Sequence, residues 1–501
     1  MRRTRQHAAR RVARWWRWAT TSTFVVGLLS LAWFLFRTGT RPSRAVYPCQ
    51  RVAAANAGTW LATYLLPVLS VTGFVGENRS WQRRLATVAV VAAVSAAAAW
   101  FASGSGLLET AAEGAIDLSF EEIRATSAPA SDLFVVRGTN GNDGGVATLI
   151  ALMAEHGTRF YRSVESGAAR GPHGLIGPAD VVLVKINCQW DQRGGTNTDL
   201  LRALIQSIVD HPDGFTGEVI VADNGQAQYG PGGNGGSMDW SWSNAEDRSQ
   251  SVQDVVDRFG ESHRVSTFLW DEITRTEVSE YDQGDMDDGY IVLDESSPTS
   301  GAVVAYPKFR TEHGTYVSFR HGIWDPTRGA FDSDRLILIN LPVLKPHMIF
   351  GVTGCIKHYM GVTSDALTRA AGARAHDSVG TGGMGTEIAG TRFPTLNLLE
   401  AIWTSLAPGV GPQVRYADAT EVGVIAASTD PVALDYWGAK YILTQGARAR
   451  GVRSTDSLDP DSRRSFATWL RLSMDELAAA GHQVTVDEAR MNVFVREFAG
   501  S

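Results

Sequence analysis

Residues 335–365 read RLILINLPVLKPHMIFGVTGCIKHYMGVTSD. The run opens with apolar residues at 336–339, the pattern of a strand covered on both faces. Asn340, Lys345, His347, Cys355, Lys357 and His358 then follow in close succession. Pro342 and Pro346 interrupt the backbone between them, and Gly351 and Gly354 leave room for close approach of backbone or ligand. A buried strand that empties into a loop of ionisable groups, with a helix expected next, is where open α/β sheets hold their ligands. The competing reading is a solvated loop whose lysines are satisfied.

The rest of the body alternates in the same manner. Strands are expected at 133–136, 181–186, 218–222 and 422–427, and helices at 144–156, 199–209, 251–259 and 395–406. Residues 290–330 read as irregular and β-rich. Leu201, Leu204, Ile205 and Ile208 share one helical face, with Asn197 or Thr198 as N-cap. Asp430 followed by Pro431 reads as an N-cap and a first-turn proline, which leaves Asp435 one turn further on without a capping role. The alternation predicts an α/β body over 131–445, a mostly parallel sheet with helices on both faces. A linker at 109–130 precedes it, and a helical extension at 446–501 follows. Asn187 and Asp223 stand at strand exits, where Asp223 serves either turn chemistry or a ligand.

Charge divides the 501-residue chain unevenly. Residues 1–103 hold fourteen arginines, no lysine and one acid, a charge of +13, so the remainder carries −20 of a total of −7. So acidic a body makes a poor nucleic-acid binder, because duplex affinity requires clustered Lys and Arg. Three uncharged stretches, 18–36, 52–76 and 85–108, each have the length of a bilayer-crossing helix. Region 1–108 is therefore expected to supply two or three transmembrane helices, with Trp15, Trp16 and Trp18 at an interface. The arginines at 2–17 argue for a cytoplasmic N-terminus, and three spans then put the body outside the cytoplasmic membrane. Four arginines in 37–51 pull the other way, and the body faces the cytoplasm if the second stretch does not cross.

The opening stretch also carries a likeness. Asn340-Leu341-Pro342-x-Leu344-Lys345-x-His347, then Gly351-Val352-Thr353-Gly354-x-x-Lys357, resembles the signature of the domain of unknown function 362 family. Val184-Lys185-Ile186-Asn187 resembles that family's Lys-Pro-Asn strand end, and Asp430-Pro431-Val432-Ala433-Leu434-Asp435 its late motif. The likeness covers roughly residues 130 to 445. The family has no general assigned reaction. Some relatives carry a cysteine-rich ferredoxin-like segment, which this chain lacks, so an iron–sulfur role is not implied. A more local likeness joins Pro346-His347 and Gly351-x-Thr353-Gly354-x-x-Lys357 to nickel-pincer lactate racemases. That likeness implies a lysine carrying the covalent cofactor, an adjacent acid/base histidine, and a nickel-ligating histidine further on. His376 is the nearest candidate for the last.

Three classes of function stay open: an enzyme, a membrane-anchored binding protein without turnover, and a metal or redox carrier. Lys357 and His347 are the expected catalytic groups, as amine nucleophile and as acid/base. Asn187, Asp223, Lys345, His358 and Asp435 are expected to join them around a small anionic ligand, since strand carboxyl ends and helix N-termini converge on one sheet edge. No Gly-x-Ser-x-Gly, HExxH or post-strand GxGxxG motif occurs, and the sequence names no cofactor. Only three cysteines argue against a cluster. Cys188 and Cys355 each follow a strand closely and are expected near one another, as a disulfide or as two packed thiols.

Overall fold

The computed structural model describes residues 30–33, 114–226 and 235–498. The chain divides into two compact units, Met1–Thr110 and Ala111–Ser501. Within the first, residues 30–33 are helical. The expected spans at 18–36, 52–76 and 85–108 otherwise lie outside the described residues. No helix among the described residues is long and apolar enough to cross a membrane.

The second unit is a mixed α/β fold around an eight-stranded sheet. Its strands in chain order are β1 (Ser131–Arg137), β2 (Val181–Lys185), β3 (Glu218–Asp223), β4 (Val265–Leu269), β5 (Leu336–Asn340), β6 (Leu396–Thr404), β7 (Thr420–Ser428) and β8 (Met491–Glu497). In space they run β8-β1-β7-β6-β5-β2-β3-β4. All neighbours are parallel except β7, which lies antiparallel to both β1 and β6. The sheet is therefore mostly parallel. β5, the strand of the opening stretch, sits in its middle, between β2 and β6.

Two apolar cores explain the unbroken hydrophobic runs. Val181 and Leu183 of β2 point into one core while Val182 and Val184 point into the other. Each such side chain contributes about 1.5–3 kcal/mol on full burial, so neither face can stay uncovered. One face is covered by α1 (Gly145–Glu155), α2 (Thr198–Val209) and α3 (Val252–Gly260). Asn197 caps α2 by accepting from the backbone N–H of Asp199 and Leu200. The other face carries α4 (Gly383–Gly390), α5 (Pro431–Trp437), α6 (Ser465–Ala479) and a five-stranded antiparallel sheet built from residues 289–332. Helices thus lie on both faces, and on the second they share the surface with a smaller sheet.

Two elements differ from expectation. Within 395–406, where a helix was expected, Leu396–Thr404 form the strand β6. The run Leu-Asn-Leu-Leu-Glu-Ala-Ile-Trp puts its polar residues three apart, which imitates the solvated stripe of a helix. Asn397 and Glu400 are instead fully buried, and short apolar runs do not separate strand from helix by period alone. The expected helical extension at 446–501 includes α6 but ends in β8, which pairs with β1 over seven residues. The linker region is likewise tied to the sheet, where Ile116 N–H donates to Glu421 O and Ile123 pairs with Val493.

Because β8 covers the outer edge of β1, deleting residues 481–501 should expose a long apolar strand edge and drive self-association. Size-exclusion chromatography and hydrogen exchange over 131–137 read this out. A truncated body that stays monomeric, with undiminished protection of β1, would show the final strand to be dispensable.

Candidate functional site

The polypeptide leaving β5 doubles back on itself. Lys345–His347 pairs antiparallel with Gly351–Thr353, bringing Lys345 opposite Thr353 and His347 opposite Gly351. Gly351 has φ 82° and packs against the Ser457 carbonyl, so a side chain there meets both strain and a clash. A short 3₁₀ turn, Lys357–Gly361, follows in place of the expected helix, and every residue in it is buried.

Two carboxylates anchor this loop at its ends. Asp435, on α5, accepts from Cys355 N–H at 2.5 Å and from Ile356 N–H at 3.0 Å. Gly354 lies so close above it that a Cβ would collide with the carboxylate. Burial pushes the Asp435 carboxyl up to about 7, against the pull of the two amides. Asp223 forms a buried ion pair with Lys185 at 2.7 Å and accepts from Cys188 N–H at 2.7 Å. Gly361 rests on this pair, again with no space for a Cβ.

Between the anchors runs a ladder of amides. His358 Nδ1 lies 2.7 Å from Asn340 Oδ1, and Asn340 Nδ2 donates to Cys355 O at 3.1 Å and to Asn397 Oδ1 at 2.9 Å. Asn397 donates onward to Ser428 O at 3.3 Å. The ladder links the loop to β5, β6 and β7. Burial and the surrounding lysines, Lys185 foremost, hold His358 well below the ordinary imidazole range.

Three buried lysines share the neighbourhood, and their surroundings differ. Lys185 has Asp223. Lys345 donates to the Gly194 carbonyl and feels Glu400, while burial brings its ammonium down to about 7. Glu400, pushed up to about 8 by burial, accepts from Ile402 and Trp403 N–H and from Asn244 Nδ2. Lys357 is 5% exposed and makes no hydrogen bond or ion pair with any described residue. Its ammonium lies 5.3 Å from the centre of the Phe350 ring. Burial, helped by the Lys185 charge, lowers it to about 7.

Phe350 gathers the remaining groups. The rings of His347 and His376 lie 5.1 and 5.2 Å from it and 6.5 Å from one another. Burial, then the Lys357 charge, keeps His347 well below its usual range and His376 at about 3. Both imidazoles are therefore neutral at physiological pH.

The expected residues thus collect at one sheet edge with unequal standing. His347 and Lys357 face a common aromatic ring. The polar atoms of Asp223, Lys345 and Asp435 are engaged by the protein itself, whereas His358 is held through Nδ1 alone and its buried Nε2 has no partner among the described residues. Asn187 accepts a backbone contact through its main chain, while its buried Oδ1 has no partner among the described residues. It borders a cavity of about 20 Å³, also lined by Trp240 and Trp242, room for one water. Glu400 was not legible as a site residue, because residues 395–406 read as a helix. A lone acid in an apolar run was the only signal. Cys188 and Cys355 are both free and buried, in the two opposite cores, so the disulfide does not form.

An α/β protein with a cationic carboxyl-edge loop is the class these features define. Residues 327–440, which carry the hairpin, Lys357, Glu400 and Asp435, match the family model described as Domain of unknown function (DUF362). No curated protein and no solved structure matches the chain.

Asp435→Ala should leave two buried amides unpaired and cost about 2–4 kcal/mol. Gly354→Ala should destabilise in the same direction by displacing the same carboxylate. Urea unfolding measures both, and losses under about 0.5 kcal/mol, the range of an ordinary surface change, would deny Asp435 its anchoring role.

Proposed function

We propose that the body binds a small anionic molecule at the carboxyl edge of β2, β3 and β5, and that Lys357 and His347 act on it. The observation that carries this reading is the buried Lys357 ammonium without a carboxylate partner among the described residues. A cation so placed either attracts an anion or gives up its proton, and a pKa of about 7 allows both near neutrality. In the charged form Lys357 holds a carboxylate or phosphate. In the neutral form it is a competent nucleophile. Binding without turnover is the alternative, in which Lys357 supplies charge alone.

The amine can be trapped. Lys357 Nζ attacks the carbonyl carbon of a small 2-oxo acid such as pyruvate, water leaves, and borohydride delivers hydride to the C=N bond. A reduced adduct on the Lys357 peptide is expected in the wild type and none in Lys357→Arg, because guanidinium keeps charge but is no nucleophile. Anion binding that survives Lys357→Arg, with no adduct in the wild type, would favour the binding protein. A nickel-containing mass on the same peptide would favour the racemase likeness, to which the proximity of His376 to His347 lends support. Among the described residues no group of three or more His, Cys, Asp or Glu is arranged to hold a metal ion.

Stability should report the same lysine. Its folded pKa, about 7, lies below the ordinary lysine value of 10.5. The unfolded chain therefore binds more protons between those values, and stability rises with pH across that window, the penalty being complete below about 7. Lys357→Met should remove that slope and stabilise the body at neutral pH by roughly 0.5–2 kcal/mol. A destabilised Lys357→Met variant would mean that the ammonium has a partner in solution.

The acidic body is further proposed to lie outside the cytoplasmic membrane, held by two or three helices from region 1–108. The support is the arginine-rich N-terminus and the change of charge sign after the third uncharged stretch. Protease added to intact cells should remove the body. Digestion confined to inverted vesicles would reverse the orientation.

A further inference from the structure

His347 turns its ring back onto its own loop. The backbone N–H groups of Ile349 and Phe350 both donate to Nδ1, at 3.1 and 3.3 Å. An imidazole nitrogen that accepts cannot also carry a proton, so the neutral ring bears its hydrogen on Nε2. Moving that hydrogen to Nδ1 would set one N–H against two others. Charging the ring would do the same, next to Lys357 and Lys345, with no carboxylate bonded to it among the described residues. His347 is 4% exposed, and its Nε2 makes no hydrogen bond with any described residue.

We propose that His347 serves as a fixed neutral hydrogen-bond donor, its Nε2–H aimed at an acceptor oxygen of the anionic ligand, and that proton transfer falls to Lys357. This rests on the reading that both residues serve one site. It narrows the ligand to a small acid whose reacting oxygen gains negative charge, as a carbonyl does when a neighbouring C–H is deprotonated. Lys357 as free amine takes the proton and becomes ammonium. The C–H electron pair becomes a carbon–carbon double bond, the carbonyl π pair moves onto the oxygen, and His347 keeps its own proton while hydrogen-bonding the oxyanion. His347 is then an electrophile, in contrast to the acid/base role suggested by its residue type.

The full-length protein with ¹⁵N-labelled histidine tests this directly. One histidine, identified by its disappearance in His347→Gln, should show an unprotonated Nδ1 and a protonated Nε2 that stay unchanged from pH 5 to 8. A protonated Nδ1, or a ring that charges within that range, overturns the proposal without any ligand. Acetate supplies the second arm, with binding followed by its competition against the pyruvate–borohydride adduct at Lys357. A glutamine amide donates near the Nε2 position and cannot act as a base. His347→Gln should therefore keep acetate affinity within about tenfold, and His347→Ala should lose about 10- to 100-fold. Equal losses in both variants count against the donor. Acetate that fails to compete in the wild type would instead sink the anion site, while the NMR arm still decides the tautomer.

Discussion

The hold of the Asp435 carboxylate on two consecutive amides is the contact on which the carboxyl-edge loop depends. Cys355 and Ile356 stand just before Lys357, so their orientation sets where the lysine begins. Asp435 can play this part because α5 is itself pinned. Asp430 caps it through Val432 and Ala433 N–H, and its second oxygen receives the Ser131 hydroxyl and the Thr485 N–H. One short helix thus connects the first strand, the C-terminal segment and the site. The two aspartates of a single hexapeptide divide the work, one fixing the helix and the other fixing the loop.

The electrostatic design follows from burial. Removing an ammonium from water costs several kcal/mol unless an opposite charge or a hydrogen-bond network compensates. Lys185 is compensated by Asp223, and Lys345 by the Gly194 carbonyl and the nearby Glu400. Lys357 has an aromatic face in place of an anion. The amide ladder of Asn340, Asn397 and His358 is neutral, so it stiffens the region without cancelling that charge. Of these three buried lysines, Lys357 is the one held in this frame without a carboxylate or carbonyl partner among the described residues.

Glu400 shows how a local irregularity becomes part of such a frame. The pairing of β6 with β7 shifts register between Ala401 and Trp403. The N–H groups released there turn to Glu400 Oε1, and Oε2 reaches Asn244 across the sheet edge. Arg193 donates to the Asn244 and Ala245 carbonyls and stacks 3.9 Å over Trp403. The bulge therefore joins the 192–195 turn, the 244–245 loop and the Lys345 hairpin.

What the sequence by itself determined was local and periodic. Apolar runs located β1, β2, β3, β5 and β7, heptad-like spacing located α1, α2 and α3, and Asp430-Pro431 located the start of α5, because these depend on neighbours a few positions away. The density of ionisable groups after β5 marked Lys357 and His347 as candidates for the same reason. Only the tertiary structure decided that residues 396–404 pair as a strand, since burial of Asn397 and Glu400 is a long-range fact that reverses the meaning of their spacing. It likewise engaged the Asp223 and Asp435 carboxylates with the loop backbone and Lys185, and placed Cys188 and Cys355 in opposite cores. Residue type states which proton or charge a side chain can hold. Which neighbour claims that capacity first is set by contacts across the chain, and at Lys357 no described neighbour supplies an opposite charge.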